Sequence, residues 1–208
     1  LSFMVPLATC TLRSNSLSCT HTLTHSLTLS RARGLRPHQF LSSNVNRRTD
    51  AYGGSVTGRI RFVVECLQAM IEAAGDSKRV GIKLSPKMGF NDVEDADADE
   101  LYPALARALT PLNLSYLHVM RSPGVDVIGL VRKHYKGTLI AGGGYDAASG
   151  EAALANHDAE LIAYGTSYLA NPDLPRRFAL QAELNKPIPS LFYAPGEKGY
   201  TDYPTLPH

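Results

Sequence analysis

The chain has 208 residues, of which 44% are hydrophobic, and it carries a formal net charge of +2 at pH 7. This length and composition are typical of one globular domain. The net charge is too small to indicate a nucleic-acid surface, and no apolar run approaches the roughly 20 residues of a membrane span, so neither nucleic acid nor membrane is expected as a partner.

Residues 1–34 differ in composition from the rest of the chain. They contain no Asp or Glu, and hydroxyl residues stand at every second position from Thr20 to Ser30. Acid-poor, Ser-rich sequence is typical of an organelle transit peptide, whereas the alternation could form a strand. A third interpretation is translated non-coding sequence joined to a real exon. We rank the third first and the strand last, and we expect residues 1–34 to be unrelated to the rest, disordered or mistranslated.

This segment predicts neither a metal site nor a cellular compartment. His21 and His25 lie four residues apart, but without a third ligand or a helical pattern no metal site is expected there. The compartment, cytoplasmic or organellar, is left undecided because a non-coding segment would carry no targeting information.

From about Ser55 onward, helix and strand patterns alternate. Apolar residues between Ile60 and Ile71 recur at helical spacing, and Gly75 ends the run. Short apolar runs predict buried strands at residues 79–86, 114–120, 138–141 and 160–164. Helices are predicted between them, at 101–109, 127–135 and 147–155, and the acidic residues 92–100 are expected to form a solvated connection. This alternation predicts a parallel sheet with crossover helices.

Glycines follow two of the predicted strands. Gly142–Gly144 comes after the third strand, and Gly165–Thr166 comes after the fourth. Glycine lets a backbone approach a ligand closely and present its N–H groups, and the last loops of a β/α barrel commonly bind phosphate. Three consecutive glycines can equally form a tight turn, so the pattern by itself leaves both interpretations open.

Longer motifs add a family resemblance. Residues 39–55, QFLSSNVNRRTDAYGGS, look like the signature of the Old Yellow Enzyme family of flavin-dependent oxidoreductases. Further segments follow in the family's order: GIKLSP at 81–86, LHV at 117–119, GGY at 143–145, YG at 164–165, ANPDL at 170–174, FY at 192–193 and GYTDYP at 199–204. The resemblance therefore runs from about His38 to the end of the chain.

The resemblance implies a fold, cofactors and an activity. The fold class is α/β, a partial TIM (β/α)8 barrel comprising about the C-terminal four β/α units, within residues 35–208. Family members carry FMN, are reduced by NADPH or NADH, and reduce activated alkenes such as enones, so a small-molecule enone-type substrate is implied. A partial barrel would also have open strand edges through which it could associate with itself.

The resemblance also assigns binding residues. It places the backbone of Gly143, Gly144 and Gly165 against the FMN phosphate. Position 166 is usually Arg in the family, and Thr166 offers a hydroxyl without charge. Position 83 is usually Arg near the pyrimidine edge of the flavin, where Lys83 could supply a positive charge but not a two-pronged contact.

The substrate side of the family site is poorly represented. Tyr193 matches an aromatic at the mouth of the substrate pocket, with packing into the C-terminal tail as an equal alternative. The family's His, Asn and Tyr, which bind the carbonyl and supply a proton, fall on Ser30, Arg33 and Leu35. No catalytic residue is therefore assigned.

We expect the chain to be a fragment, a truncated gene model or a decayed copy with little alkene reduction. A non-catalytic remnant and a half-barrel interaction module are the alternatives.

Overall fold

The computed structural model describes residues 11–13, 16–18, 27–29, 36–87 and 94–207. Its strands are β1 Thr11–Arg13, β2 Ser16–Ser18, β3 Leu27–Leu29, β4 Val80–Leu84, β5 Tyr116–Met120, β6 Leu139–Gly142 and β7 Leu161–Ala163. Its helices are α1 Arg36–Leu41, α2 Val56–Ala74, α3 Ala98–Leu109, α4 Val127–Arg132, α5 Ala147–Ala155, α6 Thr166–Ala170 and α7 Leu174–Leu180. None of the helices in these ranges combines the length and hydropathy that a membrane span requires.

Strands β3 to β7 form one sheet in chain order. Every pair of neighbours runs parallel, with Lys83 opposite His118 between β4 and β5 and Gly142 opposite Ala163 between β6 and β7. Helices α2, α3, α4 and α5 make the connections between successive strands. The four strands predicted after residue 78 and their crossover helices are confirmed, and β3 and β7 are the edge strands of this sheet.

The sheet begins earlier in the chain than residue 35, where the sequence-based division placed its start. Leu27–Leu29 forms β3 and pairs in parallel with Val80–Ile82. At these three residues the structure forms a strand, which was the lowest-ranked of the three interpretations of residues 1–34. A three-residue strand has almost no local signal, and its neighbour in the sheet decides its conformation. Strands β1 and β2 form an antiparallel hairpin, and β1 lies close to β7. His21 and His25 lie outside the described residues.

Helix α2 has a defined start and stop. The Ser55 side chain accepts a hydrogen bond from the Gly58 N–H at 3.2 Å, which satisfies one of the free donors of the first turn. Gly75 ends the helix at φ 72°, and its N–H bonds back to Ile71 and Glu72 carbonyls. This left-handed position favours glycine, so the predicted stop at Gly75 is confirmed.

The two faces of the sheet have different surroundings. Alternate residues of β4 to β7, among them Ile82, Leu117, Leu139 and Ile162, are at most 4% exposed and pack under the helices. The intervening residues face the other way, because strand side chains alternate between faces. We call this opposite side of the sheet the inner face. Its half-buried residues include Tyr116, Met120, Leu161 and Ala163. The helix-covered face is therefore the hydrophobic core.

The polar residues of the segment 39–55 hold the connection between α1 and α2. The Asn46 amide nitrogen donates to the carbonyls of Phe40 at 2.8 Å and Tyr52 at 2.7 Å, and its oxygen accepts from the Arg48 N–H at 3.1 Å. Phe40 stacks on Phe62 with ring centroids 3.9 Å apart. These contacts give the segment a structural role, since they satisfy buried backbone groups of an irregular loop.

The acidic connection before α3 is exposed at Glu94 and Ala96, as expected for a solvated connection, but it is buried at Asp95. Asp95 is 1% exposed, and its Oδ2 accepts hydrogen bonds from the Tyr102 hydroxyl at 2.6 Å and the Lys87 N–H at 3.0 Å. His38 Nε2 lies 3.3 Å from Asp95 Oδ1. The expectation of a solvated connection is therefore wrong at Asp95, where the Tyr102 hydroxyl and the Lys87 N–H donate to the buried carboxylate and His38 lies beside it.

Candidate functional site

The loops after β6 and β7 lie side by side, because these strands are neighbours in the sheet. Gly143 and Gly144 have φ values of 93° and 70°, a region that strongly favours glycine. A Cβ at Gly143 would lie 3.3 Å from the backbone nitrogen of Arg121, whereas a Cβ at Gly144 or Gly165 would meet no described residue within 4 Å. The two loops thus border open space at the carboxyl edge of the sheet.

This edge presents backbone N–H groups without acceptors. Within the described residues, the N–H groups of Gly143, Gly144 and Gly165 make no hydrogen bond. Gly165 is also the N-cap of α6, and no side chain caps that helix. Neighbouring N–H groups of this kind form concavities that attract anions, so the arrangement can hold a phosphate group.

Helix α5 contributes less to this site than its position suggests. Asp146 is its N-cap, and the carboxylate accepts from the Ser149 N–H at 2.7 Å and the Ser149 hydroxyl at 2.6 Å. The first-turn donors are therefore partly satisfied by a negative charge of the protein itself. An anion at this edge would lie on the glycine loops and not on the start of α5.

Lys83 lies on the inner face of β4, half-buried, opposite His118 of β5. The His118 Nε2 atom is buried and has no hydrogen-bond partner among the described residues. A Cβ at Gly142 would lie 2.8 Å from that nitrogen, so glycine at this position leaves room for the imidazole. Burial, and next the charge of Lys83, lower the pKa of His118 from 6.5 to about 4. Near neutral pH His118 is therefore uncharged.

The remaining two predicted residues lie in different surroundings. Thr166 is the first residue of α6 and is exposed beside Gly165. Tyr193 follows the turn Pro189–Leu191, and 97% of its surface is exposed. Packing into the C-terminal tail, the alternative offered for Tyr193, is wrong for this reason. The structure thus brings the glycine loops and Thr166 together, puts Lys83 on the inner face, and leaves Tyr193 in solvent.

Sequence reasoning missed two residues beside these loops. His118 is a polar residue between Leu117 and Val119 in an apolar strand, and period-two alternation would have placed it on the inner face with Lys83. Arg121 directly follows β5, and its N–H donates to the Gly142 carbonyl at 2.7 Å. Only the sheet order reveals that Arg121 is next to the glycine loop.

Comparison with known sequences agrees with this geometry. The NADH:flavin oxidoreductase / NADH oxidase family model matches residues 27–185. The 12-oxophytodienoate reductase 1 of Oryza sativa subsp. japonica is 42% identical over 187 residues, covering 84% of this chain and 49% of the rice protein. The chain spans about half the length of the curated relatives it matches.

Solved structures give the same coverage. Morphinone reductase is 40% identical with a TM-score of 0.78, over 88% of this chain and 50% of its own. The old yellow enzyme from Trypanosoma cruzi is 28% identical with a TM-score of 0.82, again over 88% and 50%. These neighbours are TIM barrels, so the parallel sheet described above corresponds to part of a barrel. The chain belongs to the NADH:flavin oxidoreductase / NADH oxidase family, and its resemblance to the Old Yellow Enzymes is confirmed.

Proposed function

We propose that this chain binds FMN in a site of the NADH- or NADPH-dependent alkene (enone) reductase type, and that the chain itself reduces enones slowly or not at all. The observation that carries the proposal is the set of unpaired N–H groups at Gly143, Gly144 and Gly165, at adjacent strand ends in a flavin oxidoreductase fold. These groups would hold the FMN phosphate, and the Thr166 hydroxyl would add a neutral hydrogen bond.

The inner face offers the complementary contact for the flavin ring. Bound FMN would supply hydride transfer, which no side chain of the protein provides. Lys83 would place a positive charge beside the ring, and His118 would remain neutral next to it. The space at Gly144 and Gly165, where an added Cβ would meet no atom of the described segments within 4 Å, fits a ligand that comes close to the backbone.

The residues at the family's substrate-binding positions differ in chemistry from the family's. Ser30, Arg33 and Leu35, which stand at the positions of the family's carbonyl-binding pair and proton donor, lie outside the described residues. Leu35 has no proton to donate, and Ser30 with Arg33 is a different pair of functional groups. We therefore propose that this chain reduces enones slowly or not at all, even with FMN bound, and that the enone is its substrate class by ancestry.

The visible absorption spectrum of the purified chain, titrated with FMN, tests the flavin site first. We expect a shifted, protein-bound flavin spectrum that saturates with added FMN. NADPH and then an enone are added afterwards, and only slow recovery of the oxidised spectrum is expected. A spectrum identical to free FMN at every protein concentration would overturn the proposal, and rapid recovery with an enone would overturn its catalytic part.

Replacing Thr166 with Arg should strengthen FMN binding by about tenfold, because an arginine–phosphate pair is a charge-assisted and frequently bidentate hydrogen bond. Binding would be followed by quenching of flavin fluorescence, with riboflavin as the ligand that lacks the phosphate. Thr166→Gln is the matched control of similar length without charge. Equal FMN affinity for T166R and T166Q would show that position 166 does not face the phosphate.

A further inference from the structure

Arg121 is the cation that the fold brings to the glycine loop. It follows β5 directly, as Gly143 follows β6, and these two strands are neighbours in the sheet. Its backbone N–H donates to the Gly142 carbonyl at 2.7 Å, and its Cβ lies 3.6 Å from the position that a Cβ of Gly143 would take. The base of the Arg121 side chain therefore touches the loop whose N–H groups are unpaired.

The guanidinium group of Arg121 is held but not neutralised. It stacks over the ring of Tyr145, with the Cζ atom 4.6 Å from the ring centroid. Among the described residues, no carboxylate forms an ion pair with Arg121 and no oxygen accepts from its guanidinium N–H groups. Stacking on an aromatic face restricts the plane of the group while its N–H edge stays available to an acceptor.

Asp146, an acid whose electrostatics Arg121 influences, does not form an ion pair with it. Asp146 follows Tyr145, but its carboxylate is bonded to the N–H and hydroxyl of Ser149 in the cap of α5. Arg121 influences Asp146 only through space, as a minor cause of the lowered pKa of that carboxyl, of which the hydrogen bonds from Ser149 are the largest cause. Arg121 is thus an exposed cation beside unpaired N–H donors. The carboxylate of Asp146 is already hydrogen-bonded to Ser149.

A phosphate monoester carries a charge of about −1.5 to −2 at pH 7, so N–H groups without a cation satisfy its geometry but not its charge. Thr166, on the neighbouring loop, is neutral.

We propose that Arg121 supplies the positive charge for the phosphate bound on the Gly143–Gly144 loop, and so determines that this site prefers a phosphorylated flavin. The inference rests on the proposed function, because it concerns the same phosphate. It makes Arg121 a binding residue for the anion, reaching the phosphate from the end of the adjacent strand. The affinity of the site for FMN relative to riboflavin then depends on residue 121.

The test compares Arg121→Gln with the wild type in fluorescence titrations with FMN and with riboflavin. We expect R121Q to weaken FMN binding by about tenfold or more and to leave riboflavin binding unchanged, since only FMN carries the phosphate. Arg61→Gln, an exposed arginine on α2, is the control for the same change of net charge. Equal FMN affinity in R121Q and the wild type would overturn the role of Arg121 while leaving the flavin site intact.

If the wild-type chain binds no flavin, the proposed function is overturned. A second measurement then tests the anion site separately. Inorganic phosphate is then titrated into the ¹⁵N-labelled protein, and the amide signals of Gly143 and Gly144 are followed. Phosphate-dependent shifts in the wild type and in R61Q, lost in R121Q, would support the anion site by itself. Absence of these shifts in the wild type, or equal shifts in R121Q, would overturn it.

Discussion

Replacing Arg59 with Met is expected to lower the free energy of unfolding by about 3 kcal/mol, because one partner of a buried charge network is removed. The Arg59 side chain is 3% exposed and pairs with the carboxylate of Asp97. It also donates to the Leu41 carbonyl at 2.5 Å and the Gly54 carbonyl at 3.2 Å. Methionine fills similar space, so the loss would come from acceptors left without donors and not from a cavity.

Urea unfolding followed by circular dichroism measures this loss, and Arg61→Met provides the matched control. Arg61 lies two residues further along α2, is exposed, and undergoes the same chemical change. The control should stay within about 0.5 kcal/mol of the wild type, as is usual for surface substitutions. If R59M and R61M unfold at the same urea concentration, the Arg59 network does not stabilise the fold as inferred.

A second large effect is expected on acidification, and it arises from His118. Its pKa in the folded protein is lowered to about 4 by burial and the charge of Lys83, whereas an unfolded histidine titrates at its ordinary 6.5. Below pH 6.5 the unfolded state therefore binds more protons, and stability falls as the pH decreases toward 4. The wild type should lose about 2 kcal/mol from this group between pH 7 and pH 5.

His118→Gln keeps a polar side chain of similar size but cannot titrate. The expected result is a free energy of unfolding that depends less on pH between 7 and 5, by about the same 2 kcal/mol. Other histidines, such as His134 and His157, are present in both proteins and cancel in the difference. Parallel pH profiles for the two proteins would contradict the buried, neutral state of His118.

Periodicity and end signals were enough to predict strands β4 to β7 and the helices between them. Helices α6 and α7 were not predicted, and α4 ends at Arg132, three residues before its predicted end. Helix α2 ends at Gly75, and helix α5 covers the predicted Ala147–Ala155. Strands β4, β5 and β7 lie inside the predicted runs 79–86, 114–120 and 160–164, from which they differ by at most two residues at either end. Strand β6 is shifted by one residue from the predicted 138–141. These elements follow local rules, because an apolar stripe or run indicates which backbone conformation buries it.

The residues that form the glycine loops could be predicted from the sequence, but the groups that surround these loops could not. Gly143 and Gly144 do adopt the left-handed conformations for which glycine is suited. Their unpaired N–H groups, the stacking of Arg121 on Tyr145 and the exposure of Tyr193 all depend on which strands and loops become neighbours. Binding of FMN by these residues stays a prediction until the titrations are made.

The family and the alternating β/α architecture could be predicted from continuous motifs and local periodicities of the chain. Tertiary structure alone decided that Asp95 is buried under Tyr102 and that His118 is held neutral beside Lys83. It also decided that Arg121 touches Gly143, 22 positions away along the chain. The physical reason is that burial and the electric field at a group depend on neighbours brought from distant positions, which no local pattern records.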